Sequence, residues 1–222
     1  MPVRVKHFSP SHLHMPRNPH HGALRRLAAA DPALAAALAA VGLPPPRDRE
    51  PGFASLARII VGQQVSTASA VAMWLKLTAG IDPFTPDGVL ARTPDELRLI
   101  GLSRQKAAYM LGLAREIAEG RLNLEGLQAL DDEAAIQEIT RVKGLGRWSA
   151  EIYLLFALQR TDIWPAGDLA LQVGMQRLRG LRKRPDPKRM IKLAEPWRPY
   201  RGAAAHFLWH YYRKAPFLTR ER

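Results

Sequence analysis

The sequence predicts an all-α protein, and three features carry that prediction. Apolar residues recur at three- and four-residue spacing through most of the chain. A capping side chain stands before proline at several places, and glycine closes several of the apolar runs. No stretch of useful length alternates apolar and polar residues as a half-buried strand would.

The elements follow from this punctuation. Asp31-Pro32, Thr85-Pro86 and Thr93-Pro94 each put an oxygen acceptor before a residue already set at the φ of a first helical turn. Gly42, Gly80, Gly101 and Gly120 follow periodic runs and are expected to end helices. From Pro32 onward these signals give roughly ten short helices. The stretch LRLIGLSRQKAAYML (97–111) echoes ITRVKGLGRWSAEIYLL (139–155) as helix, glycine turn, helix. Residues 1–21 hold five of the seven histidines and read as a basic tail rather than a metal site. Residues 22–51 are expected to form N-terminal helices and a proline-rich linker, with LPPPRDREPG (43–52) as a stiff spacer.

Composition bounds the function. With 222 residues and 47% hydrophobic, the chain can bury a core. Its formal charge of +13 and pI of about 10.7 point to an anionic partner such as nucleic acid. The excess is uneven: residues 177–222 contain 14 Lys and Arg against three acids. The absence of cysteine excludes disulfides and thiolate metal sites. The alanine-rich LAAADPALAAALAAVG is cut by Asp31-Pro32, so it does not cross a membrane. A cytoplasmic monomer is expected.

The segment TRVKGLGRWSAEIYLLF (140–156) carries the first functional signal. Gly144 and Gly146 allow a turn of about four residues between two helices, and Leu145 between them can point inward. The amides of Leu145 to Trp148 open the next helix and face outward with the positive end of its dipole. That is an anion site, and Lys143 and Arg147 add charge beside it. The carbonyls of Thr140, Val142 and Leu145 together form a candidate seat for a monovalent cation, sodium or potassium, that bridges to a phosphate.

A helix from Trp148 to Gln159 carries the chain roughly 18 Å away. Residues 160–167 then span at most about 26–29 Å, enough to return. Pro165-Ala166-Gly167 delivers Asp168 to a new helix start at the hairpin's own end. As a cap, Asp168 would face amides and a helix dipole. Read alone, the segment gives only a capping aspartate.

Together these stretches resemble the helix-hairpin-helix (HhH-GPD) DNA glycosylase superfamily, in its 3-methyladenine DNA glycosylase II branch. The resemblance runs from about Gly52 to Tyr212, through IIVGQQVS (59–66), LSRQKAAYMLGLA (102–114), VKGLGRWSAE (142–151), DIWPAGDLAL (162–171) and PWRPYRG (196–202). It implies two helical subdomains, 52–164 with the hairpin at about 139–158, and a strongly basic 165–222, with the cleft between them. The N-terminal helices would pack on the second. Only about fifty residues precede the matched core, too few for the N-terminal β-domain that some members carry.

The resemblance implies that Asp168 is the catalytic carboxylate, stabilising positive charge on the sugar as the glycosidic bond breaks. Asp162, the other nearby acid, is expected to face solvent or cap the preceding turn. Members that also cleave the strand place a nucleophilic lysine after the hairpin's basic residue; Trp148 stands there, so a monofunctional enzyme is expected. Gln63 and Gln64 match the position that fills the vacated stack when a base flips. Trp148, Trp164, Ile152, Tyr153, His206 and Trp209 are the candidate walls of the base pocket, with Ile152 and His206 standing where relatives carry aromatics. The expected partner is double-stranded DNA with a damaged base, and no cofactor is required. The competing readings are a non-catalytic hairpin module that binds DNA and a glycosylase with lyase activity.

Overall fold

The computed structural model describes residues 19–47 and 49–215. Most of the histidine-rich stretch at 1–21 therefore lies outside the described residues. The chain runs through α1 (Pro19–Ala30), α2 (Pro32–Val41), α3 (Phe53–Gly62), α4 (Thr67–Gly80), α5 (Pro86–Leu90) and α6 (Pro94–Ile100). It continues through α7 (Arg104–Ala118), α8 (Asp132–Thr140), α9 (Arg147–Phe156), α10 (Leu169–Leu178), α11 (Pro187–Ala194) and α12 (Arg201–Lys214). No strand occurs among the described residues. The prediction of an all-α chain holds.

The caps behave as their chemistry requires. Asp31, Thr85 and Thr93 each accept the amide three residues on, with proline following. Thr93 and Glu96 complete a reciprocal box, worth about 1 kcal/mol to α6. Gly42, Gly101 and Gly120 leave their helices at positive φ. Gly80 is the exception. It remains inside α4, where a Cβ would lie 3.1 Å from Ile100 Cδ1, so this glycine serves close packing rather than a turn.

Two helical groups form. In one, α3 packs on α4, α7 and α9, α5 and α6 cover α7, and α8 lies along α9. In the other, α1 and α2 pack on α12, and α10 lies between α12 and α11. A continuous apolar core runs through both, including Leu34, Leu56, Leu113, Leu154 and Leu208 at 0% exposure. Each such leucine contributes about 1.5–3 kcal/mol relative to an exposed one.

The groups meet where α12 starts against the end of α9. A Cβ on Gly202 would lie 2.7 Å from Leu155 Cδ1, and its amide donates to the Thr161 carbonyl at 2.8 Å. Asp162 clamps the same junction by accepting from Arg198 at 2.6 Å and from Arg201 at 2.9 Å. It neither faces solvent nor caps a turn. The stretch 43–52 is likewise more than a spacer: Arg49 donates its amide to the Phe156 carbonyl, and Gly52 donates to the Tyr153 hydroxyl.

Candidate active site

Asp168 enters from a tight turn in which its amide donates to the Pro165 carbonyl at 2.9 Å. Gln172 braces that turn by donating to the Ala166 carbonyl at 3.0 Å. As the N-cap of α10, Asp168 accepts the Leu171 amide on Oδ1 at 2.9 Å. Two indoles converge on the same carboxylate. Trp209 Nε1 donates to Oδ1 at 3.0 Å, and Trp148 Nε1 donates to Oδ2 at 2.8 Å. All three donors are neutral, so they orient the carboxylate without cancelling its charge. The group is half-buried and opens toward Trp148, which is 39% exposed at the start of α9.

Behind it stands an aromatic wall. Phe156 and Trp209 pack with centroids 5.5 Å apart, and His206 meets Phe156 edge-on at 5.7 Å. His206 is 1% exposed, and neither ring nitrogen has a partner. Burial, with the Arg47 charge next in weight, pushes its pKa down to about 3, so it is a neutral imidazole. The Arg47 guanidinium lies over both rings, 5.7 Å from the centroid of Phe156 and 5.8 Å from that of Trp209.

Two expected pocket residues, Trp164 and Tyr153, fall elsewhere. Trp164 is buried in the C-terminal group, edge-on to Trp197 at 5.8 Å and donating to the Met190 carbonyl. Tyr153 is buried against the linker, its hydroxyl accepting the Gly52 amide at 2.9 Å. Both are large rings whose polar atoms are already satisfied inside the core. Ile152 is buried on α9 between Trp148 and Phe156 in the i, i+4 series. Continuing that series one step would have located Phe156. Nothing in the run PPPRDR marks Arg47 as a pocket residue.

The hairpin forms between α8 and α9. Gly144 sits at φ +95°, where a Cβ would lie 2.3 Å from Tyr109 Cγ, so only glycine fits against that ring. Leu145 points inward, but its amide donates to the Val142 carbonyl at 3.0 Å and is not free for an anion. That bond leaves one lone pair of Val142 for a cation. The Thr140, Val142 and Leu145 residues line one groove of about 570 Å³. Gly146 caps α9 with no side chain, which leaves the next amides facing outward. Lys143 is exposed beside them.

Arg147 is not aimed at that site. Its guanidinium holds both oxygens of Glu133, at 2.8 and 2.9 Å, and donates Nε to Glu151 at 3.1 Å. Glu151, 7% exposed, is pushed up to about 7 by burial, against the pull of Arg147. Gln63 is also committed, donating to the Gly144 carbonyl at 2.8 Å. Gln64, by contrast, is exposed, at φ +54°.

The turn before α7 gives an internal control. GLSR (101–104) matches GLGR (144–147) in sequence and shape, with Gly101 at φ +121° and Leu102 buried. There Ser103 accepts the Lys106 amide and closes the helix end. At the second turn glycine replaces serine, and the end stays open.

A helix end open to phosphate, beside a carboxylate held under two indoles in an all-α fold, defines a helix-hairpin-helix DNA glycosylase. Residues 57–199 match the profile of the HhH-GPD superfamily of base excision DNA repair proteins, and the chain belongs to that superfamily. Its relatives lie in the 3-methyladenine branch. It is 31% identical over 166 residues to DNA-3-methyladenine glycosylase 1 of Schizosaccharomyces pombe, covering 72% of each chain. It is 31% identical over 211 residues to DNA-3-methyladenine glycosylase 2 of Escherichia coli, covering 86% of this chain and 64% of that one. The fold superposes on the S. pombe 3-methyladenine DNA glycosylase Mag1 in complex with abasic DNA, with a TM-score of 0.79 and 29% identity. That match covers 85% of this chain and 95% of the other. No helix among the described residues is long and apolar enough to cross a membrane.

Proposed function

We propose that this enzyme is a monofunctional glycosylase that releases alkylated purines of the 3-methyladenine type from double-stranded DNA. The observation that carries the proposal is the Asp168 carboxylate, fixed by Trp148 and Trp209 and, among the described residues, held in no ion pair. A base turned out of the duplex brings its deoxyribose over this group. As the C1′–N bond lengthens, its electron pair moves to the base, and the sugar becomes oxocarbenium-like. A fixed negative charge beneath it lowers that barrier. Water then adds to C1′, oriented by the same carboxylate, and loses a proton to solvent.

No amine stands at position 148 to attack the sugar, so the product is an intact abasic site. Lys143 and the open amides after Gly146 hold a phosphate near the lesion, and Gln64 fills the gap left by the flipped base. A monovalent cation on the hairpin carbonyls would strengthen the same phosphate contact. The protein works as a monomer in the cytoplasm and needs no organic cofactor. Binding is largely electrostatic and weakens steeply with added salt.

The test is base release from duplexes carrying one alkylated or deaminated base each, with nicking scored before and after alkali. The parent should release base and give nicks only after alkali, and Asp168→Asn should bind the duplex while releasing base far more slowly. Nicking without alkali, or an adduct trapped by borohydride, would overturn the monofunctional assignment. An inactive parent that binds DNA tightly would make the protein a binding module.

A further inference from the structure

The aromatic faces beside Asp168 are already in contact with a cation that belongs to the chain. Arg47 comes from the stretch between α2 and α3, and its guanidinium covers Phe156 and Trp209 at 5.7 and 5.8 Å. Trp209 is the ring whose N–H holds Asp168. Among the described residues no acid lies within ion-pair distance of Arg47. Burial lowers its pKa to about 10, with Arg213 and Arg49 acting the same way and Asp168 opposing them, so it stays charged at neutral pH. His206, edge-on to Phe156, is neutral, and its ring nitrogens have no hydrogen-bond partner. The wall beside Asp168 therefore carries the Arg47 charge, with Arg213 and Arg49 near enough to act on it.

Charge decides what such a wall favours. A base that is already cationic leaves the sugar as a neutral molecule and gains nothing from a nearby guanidinium, which repels it on arrival. A neutral base, such as 1,N6-ethenoadenine or hypoxanthine, takes the bond's electron pair and departs with negative charge. Its ring nitrogens or carbonyl then accept strengthened hydrogen bonds from a guanidinium, which has five donors. We propose that Arg47 is a specificity-determining residue that stabilises the departing charge of neutral lesion bases, and so extends release beyond the cationic 3-methyladenine type at some cost to the cationic bases. The proposal rests on the reading of this protein as a base-releasing enzyme. After the electron pair reaches the base, a solvent proton neutralises it, and Arg47 ends the cycle unchanged.

Single-turnover release from duplexes carrying 7-methylguanine, a cationic lesion, or 1,N6-ethenoadenine, a neutral one, tests this. Arg47→Met keeps length without charge, and Arg47→Lys keeps charge. The ratio of cationic to neutral release should rise at least ten-fold in Arg47→Met and stay within about three-fold of the parent in Arg47→Lys. Each ratio is taken within one sample, so loss of folded protein cancels. Quenching of tryptophan fluorescence by 1-methyladenosine and by inosine gives the same comparison without turnover. Arg47→Met should strengthen the first relative to the second. If both lesions change in parallel and the quenching order is unaltered, Arg47 is a packing or gating residue and the inference fails. If the parent releases neither base, the glycosylase reading itself fails, and the inference with it.

Discussion

Two aspartates in this molecule are built to nearly the same plan and end in opposite conditions. Asp31 caps α2, accepts the Leu34 amide at 3.1 Å and accepts the Trp197 indole at 2.8 Å. Asp168 caps α10, accepts the Leu171 amide at 2.9 Å and accepts the Trp209 indole at 3.0 Å. The third partner separates them. Asp31 receives the Arg179 guanidinium on both oxygens, at 3.0 and 2.5 Å, whereas Asp168 receives a second indole from Trp148. A paired, buried carboxylate is a structural tie, and on the proposed reading the same carboxylate given neutral donors serves a substrate. The identity of one partner, rather than the cap geometry, assigns the role.

The comparison breaks first at Asp168. Asp168→Asn should lower base release on the order of 10³-fold, equivalent to about 4 kcal/mol of barrier, in single-turnover assays. Its stability, read by thermal melts, should change by no more than about 1 kcal/mol, because an amide still caps α10.

Asp31→Ala should do the reverse, costing about 3 kcal/mol of stability by orphaning Arg179 and the Trp197 N–H, with the activity of the folded fraction retained. Its pH dependence sharpens the point. Burial pushes the Asp31 pKa up, but the bonds from Arg179, Trp197 and the Leu34 amide outweigh this and hold it below the ordinary value. A depressed folded pKa gives stability that is present above the unfolded value, about 3.9, and is lost as pH falls through the folded one. Melting curves of parent and Asp31→Ala should therefore differ most near neutrality and converge in acid.

Glu151 is an intermediate case, a buried carboxylate with a single arginine partner on its Nε. Its pKa of about 7 lies above the unfolded value, so the ionised form is disfavoured in the fold. Parent stability should decline as pH rises from about 4.5 to 7. Glu151→Gln should gain on the order of 2 kcal/mol at pH 8 and little at pH 4, read by thermal melts. The smallest effect is expected for Trp148→Phe, which keeps a ring and removes one N–H from Asp168. Release should fall about ten-fold with no change in melting, separating orientation of the carboxylate from its presence.

Much of this was legible in the sequence, and the failures have a common cause. Helix starts are local chemistry, so Asp31, Thr85 and Thr93 could be read from a side chain and a proline. The hairpin was legible for the same reason, since Gly144 and Gly146 act through their own backbone. Partners far along the chain were not. Arg147 looked like a phosphate ligand beside its turn, but Glu133 and Glu151 hold it. Trp164 and Tyr153 looked like pocket rings, but their neighbours Trp197 and Gly52 come from distant segments. Gln63 and Gln64 are adjacent and alike in chemistry, and only the path of α3 decides that one bonds the hairpin while the other is exposed. Arg47 carried no signal because its partners lie more than a hundred residues away.

The bond from Gln63 to the Gly144 carbonyl has a mechanical consequence. It couples the end of α3 to the hairpin, so Gln64 and the open amides of α9 move as a single rigid jaw. On the proposed reading, a duplex gripped by that jaw would meet two contact points whose offset the protein alone dictates. Twist or bend that does not suit the offset must be absorbed by the nucleic acid, at whichever base step yields most easily.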